Sequence, residues 1–311
     1  MNIANNMDWK KLWVPGSLLV LLIFFGTYTL FASTYSIILM ISIFMYIILT
    51  LSWVLFSSPT GYLSMAPAAF FGVGVYSAAI LGPELPLVLV IFIGGLASAI
   101  LALLIGALTL RLRGIYFAIF TLGLVELIKN LILWYEIEYS GVRGRFVILV
   151  DNVTIYYTML AILVLLLLTM YLIRRSKFGL ALRSIGEFED AAAHVGVNVN
   201  ALKTGTFAIS AIFIGAAGAI MATRWTYIDP FIAFDLDYSF LPILMAIFGG
   251  MGQLYGPIIG ASLFAYLKEL LITRFPYHYM LTFGLILLIV IFYLPGGMVG
   301  LIQKWRKRSR G

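Results

Sequence analysis

Glu126 and Lys129 are the residues whose types and spacing most suggest buried chemistry. They stand three apart within the apolar run 114–133, which puts both on one helix face, close enough to pair. An ionisable side chain inside a membrane segment is a functional candidate by default, because a charge is costly there. A carboxylate that takes up and releases a proton would suit an ion-coupled carrier. The plainer reading is an intramembrane ion pair, with Lys129 reaching toward the near end of its helix. Lys268 and Glu269 are adjacent, so they diverge on a helix, and their place near a segment end suits snorkelling.

Other chemistry has little material. The chain has two histidines, His194 and His278, in unrelated regions, and no cysteine. Disulfides, thiolate metal sites and cysteine nucleophiles are therefore absent, and a histidine metal cluster is not expected. There is no G-x-x-x-x-G-K-[ST] string, and Gly72-Val73-Gly74 falls short of a dinucleotide fingerprint. No catalytic residue, metal site, bound cofactor or nucleic-acid partner is expected. If ATP drives this protein, another chain binds it.

The stretch 174–204, RRSKFGLALRSIGEFEDAAAHVGVNVNALKT, is polar between two apolar runs. Ser184 and Glu187 have the S-x-x-E spacing of a capping box. Phe188, Ala191, Ala192 and Val195 then recur at helical spacing and form one narrow apolar face. Gly196 stands where a left-handed residue would end the helix. The spacing therefore predicts a helix over 185–195, about 16 Å long at 1.5 Å per residue. Small side chains let such a helix lie close to another protein. An amphipathic helix resting on lipid or on its own membrane domain is the alternative. Glu187, Glu189 and Asp190 complement the helix dipole at its start, and His194 lies beside the apolar face as a contact residue.

The elements that must carry this stretch are membrane spans. The chain is 63% hydrophobic and 11% charged, against about 25% charged in a soluble domain. Long unbroken apolar runs point to helices and exclude a barrel. About ten segments follow, each near the length a bilayer needs: 12–31, 35–56, 62–81, 87–110, 114–133, 153–173, 205–222, 239–251, 255–272 and 277–294. The expected fold is all-α, a polytopic transmembrane bundle forming one domain over 1–311, with a polar loop at 174–204 and a basic tail at 303–311. Segment 62–81, interrupted by Pro67, Gly72 and Gly74, either spans or forms a broken or re-entrant helix. Ala211, Gly215 and Ala219 repeat every four residues, as do Gly252, Gly256 and Gly260, the small-residue spacing of close helix packing. Gly61-x-Leu63 with Pro67 faintly matches Gly252-x-Leu254 with Pro257. Interrupted segments in corresponding halves can mark a transporter's repeats.

Charge fixes the expected orientation. Lys10, Lys11, Arg111, Arg113, Arg174, Arg175, Lys177, Arg183, Lys203 and the tail fall on one side when all ten segments cross. Arg143, Arg145, Arg224 and Arg274 fall on the other. The positive-inside rule puts the 174–204 loop and the C-terminus in the cytoplasm. The tail is also suited to anionic membrane lipid.

Several strings together resemble a known family. Asp190-Ala191-Ala192-Ala193-His194-Val195-Gly196 is similar to the acidic-Ala-Ala-x-x-x-Gly core of the cytoplasmic "EAA" loop of bacterial ABC importer permeases, with Asp for Glu. GLALRSIGEFEDAAAHVGVNVNALK, FAISAIFIGAAGAIMA, GYLSMAPAAFFGVGVYSAAIL, RGIYFAIFTLGLVELIKN, AIFGGMGQLYGPIIGASL and YLPGGMVGL resemble branched-chain amino acid permeases of the LivM/LivH type. Ser64-Met65-Ala66-Pro67-Ala68-Ala69-Phe70 departs from the Ser-Leu-Gly-His-Ala-Ala-Phe usual there.

The resemblance implies an importer in the cytoplasmic membrane. A second permease subunit completes the pathway, two ATPases bind ATP and Mg, and an extracytoplasmic binding protein delivers substrate. The 185–195 helix then couples the ATPases to the spans, through Glu187, Phe188, Glu189, Asp190, Ala191, Ala192, His194, Val195 and Gly196. Permeases for urea or short amides are similar enough to remain an alternative, as does an ion-coupled carrier using Glu126. An apolar substrate needs a lining of small and apolar residues, for which Ser64, Pro67, Gly252, Gly256 and Gly260 are the candidates.

Overall fold

The computed structural model describes residues 24–285 apart from 111, 113, 253, 279 and 280. Segments 12–31 and 277–294 lie largely outside these residues, and the tail 303–311 wholly so. The main helices are α1 (Thr34–Thr60), α2 (Pro67–Leu81), α3 (Leu87–Thr109), α4 (Ile115–Tyr135), α5 (Asn152–Arg175), α6 (Lys177–Glu187), α7 (Glu189–His194), α8 (Val199–Ala222), α9 (Pro230–Ala233), α10 (Asp237–Gly249) and α11 (Tyr255–Arg274). Among the described residues seven helices are long and apolar enough to cross a membrane, and the apolar helix Pro67–Leu81 is shorter. The all-α polytopic bundle is as expected.

Local chemistry sets the boundaries. The Ser33 hydroxyl caps α1 by accepting from the Ser36 amide. That helix runs through Ser57-Ser58-Pro59 and stops at Gly61, whose φ of 72° suits a residue without Cβ. Asp151 accepts from the Thr154 amide to open α5. Asn198 accepts from the Ala201 amide to open α8, six residues before the predicted start at 205. Lys203 is thereby drawn into a helix.

Packing repeats itself. α2 and α3 pack on each other and on α8, while α10 and α11 pack on each other and on α1, with α1 against α8. In both sets a short helix follows a non-helical stretch: 61–66 before α2, and 234–236, after the one-turn α9, before α10. The 252–257 stretch suggested by its Gly and Pro spacing straddles the turn from α10 to α11 and the start of α11.

Small residues make these contacts possible. A Cβ on Gly74 of α2 would lie 2.0 Å from the Gly215 carbonyl oxygen of α8, and one on Gly94 of α3 would lie 2.9 Å from the Ala219 methyl. The 211–215–219 stripe is thus a packing face.

Irregular backbone inside a bundle needs partners for its polar groups. The 61–66 break has them. Trp53 Nε1 donates to the Ser64 carbonyl at 2.8 Å. The Met65 amide donates to Thr121 Oγ1 at 2.9 Å. Ser239 Oγ, at the start of α10, accepts from the Ala68 amide and donates to the Met65 carbonyl, both at 2.9 Å. Trp53 stands seven residues before the end of α1, so the break descends about 10 Å into the bundle at 1.5 Å per residue.

A two-residue antiparallel ladder, β1 (Arg145–Phe146) with β2 (Tyr227–Ile228), joins two loops at the other end of the bundle. Beside it Glu136, 2% exposed, accepts from the Gly144 amide and the Tyr76 hydroxyl. Arg143 pairs with Asp229.

Candidate coupling site

The polar loop folds as two short helices, not one. Ser176 caps α6 by accepting from the Gly179 amide at 3.2 Å. The turn into it is tight enough that a Cβ on Gly179 would lie 2.1 Å from the Ile173 carbonyl oxygen. The S-x-x-E spacing at Ser184 and Glu187 does not form a capping box. Ser184 is already helical, and its hydroxyl donates to the Ala181 carbonyl at 2.8 Å. The chain then extends at Phe188, with φ −155° and ψ 98°, and α7 follows. The helix predicted over 185–195 is therefore corrected to α6, a one-residue break and α7. The earlier cap at Ser176 starts the helix, and the extended Phe188 divides it.

The end of α7 is as the sequence suggests. Gly196 has φ 87°, the Gly196 amide donates to the Ala193 carbonyl, and the Val197 amide donates to that of Ala192. Gly196 thus closes the helix as a left-handed residue.

The apolar face is split. Ala192 turns inward and forms a small core of its own with Ile185 and Val199. Phe188 and Val195 point outward, 65% and 80% exposed, with Glu187, Asp190, Ala191, Ala193 and His194 also exposed. His194 Nδ1 lies 2.6 Å from the Asp190 carbonyl oxygen. The result is a short outward ridge of large apolar, small and charged side chains.

Glu189 turns the other way, into a buried polar knot. Its Oε1 accepts from Lys203 Nζ at 2.8 Å, and its Oε2 from the Tyr62 hydroxyl at 2.8 Å. Lys203 Nζ also donates to the Tyr62 oxygen at 2.9 Å and to the Leu110 carbonyl at 3.0 Å. The ammonium lies 4.3 Å from the centre of the Tyr62 ring. Lys203 is 1% exposed. A buried lysine is tolerated only when its charge and its donors are met, and here one carboxylate, one hydroxyl, one carbonyl and one ring meet them. α7, α8, the 61–66 break and the end of α3 join at this point.

The other candidates fall in different places. Glu126 and Lys129 form the expected pair, with Lys129 Nζ 2.6 Å from the carboxylate and 5.3 Å from the centre of the Phe231 ring. Ser64 and Pro67 are buried at the break. Gly256 and Gly260 lie in the α10–α11 contact, where a Cβ on either would lie 2.3 Å from a backbone oxygen, of Gly250 and Met245 respectively. Gly252 is exposed and borders a cavity of about 290 Å³ with Arg174 and Arg183. The five thus fall in three places: the break, the α10–α11 contact and the surface beside Arg174 and Arg183. Lys268 Nζ donates to the Tyr46 hydroxyl at 3.0 Å and to Asp237 at 3.1 Å.

Tyr62, Thr121, Lys203 and Ser239 hold the site together, and the sequence reading passed over them. Lys203 counted there only as a topological charge. The Asn198 cap was the available sign that Lys203 belongs to a helix.

The chain matches the family model described as branched-chain amino acid transport system / permease component over residues 35–291. It is 27% identical over 300 residues to the high-affinity branched-chain amino acid transport system permease protein LivM of Escherichia coli (strain K12), covering 86% of this chain and 70% of that one. It is 29% identical over 136 residues to the probable branched-chain amino acid transport permease protein LivM of Methanocaldococcus jannaschii, covering 39% of each chain. A shorter match, 29% over 132 residues, is to the xylose transport system permease protein XylH of Haemophilus influenzae, covering 41% of this chain and 35% of that one. No solved structure matches. With most of its length matched by one family model and carried on a bundle of membrane-length helices, the chain belongs to the branched-chain amino acid transport system permease family.

Proposed function

We propose that this chain is the permease subunit of an ABC importer for branched-chain amino acids, driven by separate ATPases that seat on α6 and α7. The observation that carries this is the outward ridge of α7. Phe188 and Val195 are large, apolar and exposed at the tip of a helix pair whose own small core is already complete. An exposed apolar ridge with a polar rim is the usual form of a protein contact. Arg174, Arg175, Lys177, Arg183 and Lys203 gather at the same end, which supports a cytoplasmic placement. The ATPases would supply ATP and Mg binding, so this chain carries no catalytic role. A second permease subunit would complete the pathway, and an extracytoplasmic binding protein would deliver substrate. The amino-acid reading is favoured over a sugar because the LivM likeness runs along most of the chain, whereas the xylose permease likeness covers less than half.

The cysteine-free chain allows a direct check. Val195→Cys, labelled with a photoactivatable thiol reagent in the complete transporter, should cross-link to the ATPase subunit. Cross-linking to lipid alone would reject the docking assignment.

A further inference from the structure

We propose that Glu189, Tyr62 and Lys203 are the positioning residues through which movement of α7 reaches the interrupted helix pair inside the bundle. The proposal rests on the reading of α7 as the ATPase contact. Glu189 is the first residue of α7 and faces inward while its neighbours face out. It engages two partners at once, Tyr62 of the break and Lys203 of α8, and these two also bond each other. The three side chains form a closed triangle in which every side is a hydrogen bond of 2.8–2.9 Å. Apolar contacts can slide past one another. Glu189 is 20% exposed but the Lys203 ammonium is buried, so the triangle cannot exchange partners without leaving that ammonium unmet. A shift of α7 must therefore carry Tyr62 with it.

Tyr62 is where such a shift would have an effect. The chain from 61 to 66 has no helical ladder to stiffen it, and Gly61 supplies a left-handed joint at its start. Three residues beyond Tyr62, Met65 is held by Thr121 of α4 and by Ser239 of α10. The Ser239 hydroxyl also holds the first turn of α2 through Ala68. The path from the outward ridge to the meeting point of the two short helices therefore runs through hydrogen bonds: Glu189 to Tyr62, Met65 to Ser239, Ser239 to Ala68. A second route exists, since α6 packs backbone to backbone on α1, where a Cβ on Gly186 would lie 2.3 Å from the Pro59 carbonyl oxygen. That contact moves α1 as a rigid rod. The triangle is the route that can bend the break.

The test uses the whole reconstituted transporter and reads two quantities, ATP hydrolysis and leucine taken up per ATP hydrolysed. Glu189→Gln keeps the shape and removes the charge, and Tyr62→Phe keeps the ring and the Lys203–Glu189 pair. Each should leave the ATPase bound and hydrolysing, while uptake per ATP falls about tenfold, within the usual range for coupling between sites. Tyr62→Cys with Glu189→Cys, joined by a short bifunctional thiol reagent, should recover uptake per ATP relative to the unjoined double variant. Wild-type uptake per ATP in both single variants would overturn the proposal. So would hydrolysis and uptake falling in equal proportion, which would place the triangle in folding or docking. A wild-type complex without ATP-driven uptake would instead reject the importer reading itself, and the unmodified arm shows that separately.

Discussion

The Ser239 hydroxyl lies 2.9 Å from the amide nitrogen of Ala68, tying the start of α10 to the first turn of α2 across 171 residues of sequence. The same hydroxyl donates to the Met65 carbonyl, so one buried side chain satisfies backbone groups on both sides of Pro67. Ser239→Ala leaves that amide and that carbonyl without the hydroxyl that met them. At about 1–3 kcal/mol for each unsatisfied buried group, the variant should melt at a clearly lower temperature in detergent. Thr121→Val removes the partner of one amide only and should cost less. Equal melting of Ser239→Ala and wild type would show that the break is held by other means.

Close helix approach makes a second prediction. Gly74→Val should prevent the α2–α8 contact, since even the first added carbon would sit 2.0 Å from a backbone oxygen. The helices must separate or the variant must misfold, a loss beyond the usual 0.5–3 kcal/mol of single substitutions. Gly123→Val is the control, because nothing lies within 4 Å of its Cβ position. Size-exclusion profiles and melting curves of the two should differ sharply.

Gly196→Arg should spare the fold and spoil the ATPase contact. No heavy atom lies within 4 Å of a Cβ there, so space is not the difficulty. The left-handed backbone adds about 1–2 kcal/mol of strain, and the arginine projects beside the α7 ridge. Membrane insertion should be normal, and substrate-stimulated ATP hydrolysis should be lost. Normal stimulation in this variant would remove the ridge from the docking surface.

Glu126→Gln separates the importer from an ion-coupled carrier. Glu126 is paired with Lys129 three residues along the same helix, and Gln keeps a hydrogen-bonding side chain there. Uptake driven by ATP should persist in this variant. Uptake driven by an ion gradient and abolished by Glu126→Gln would favour the carrier.

What could be read from the sequence depended on how local its cause was. The small-residue stripe at Ala211, Gly215 and Ala219 and the left-handed Gly196 follow from spacing and backbone geometry, and the structure has both. The interruption before Pro67 was visible for the same reason, whereas Gly72 and Gly74, expected to interrupt as well, lie inside the unbroken α2. The division of the loop at Phe188 was not, because Ser176 and Ser184 both carry cap chemistry and only the fold selects between them. Lys203 was unreadable as a buried residue, since Tyr62 and Leu110 lie 141 and 93 residues away. The partners of Lys268 were unreadable for the same reason, since Tyr46 is 222 residues distant.

The most direct measurement of the central claim is leucine accumulation in vesicles that hold this chain, its sister permease and their ATPases, with binding protein on the outer side and ATP inside. Accumulation should require ATP and the binding protein, should persist when ion gradients are collapsed, and should vanish with Gly196→Arg. Accumulation by this chain alone, dissipated with the ion gradient and indifferent to ATP, would contradict the account.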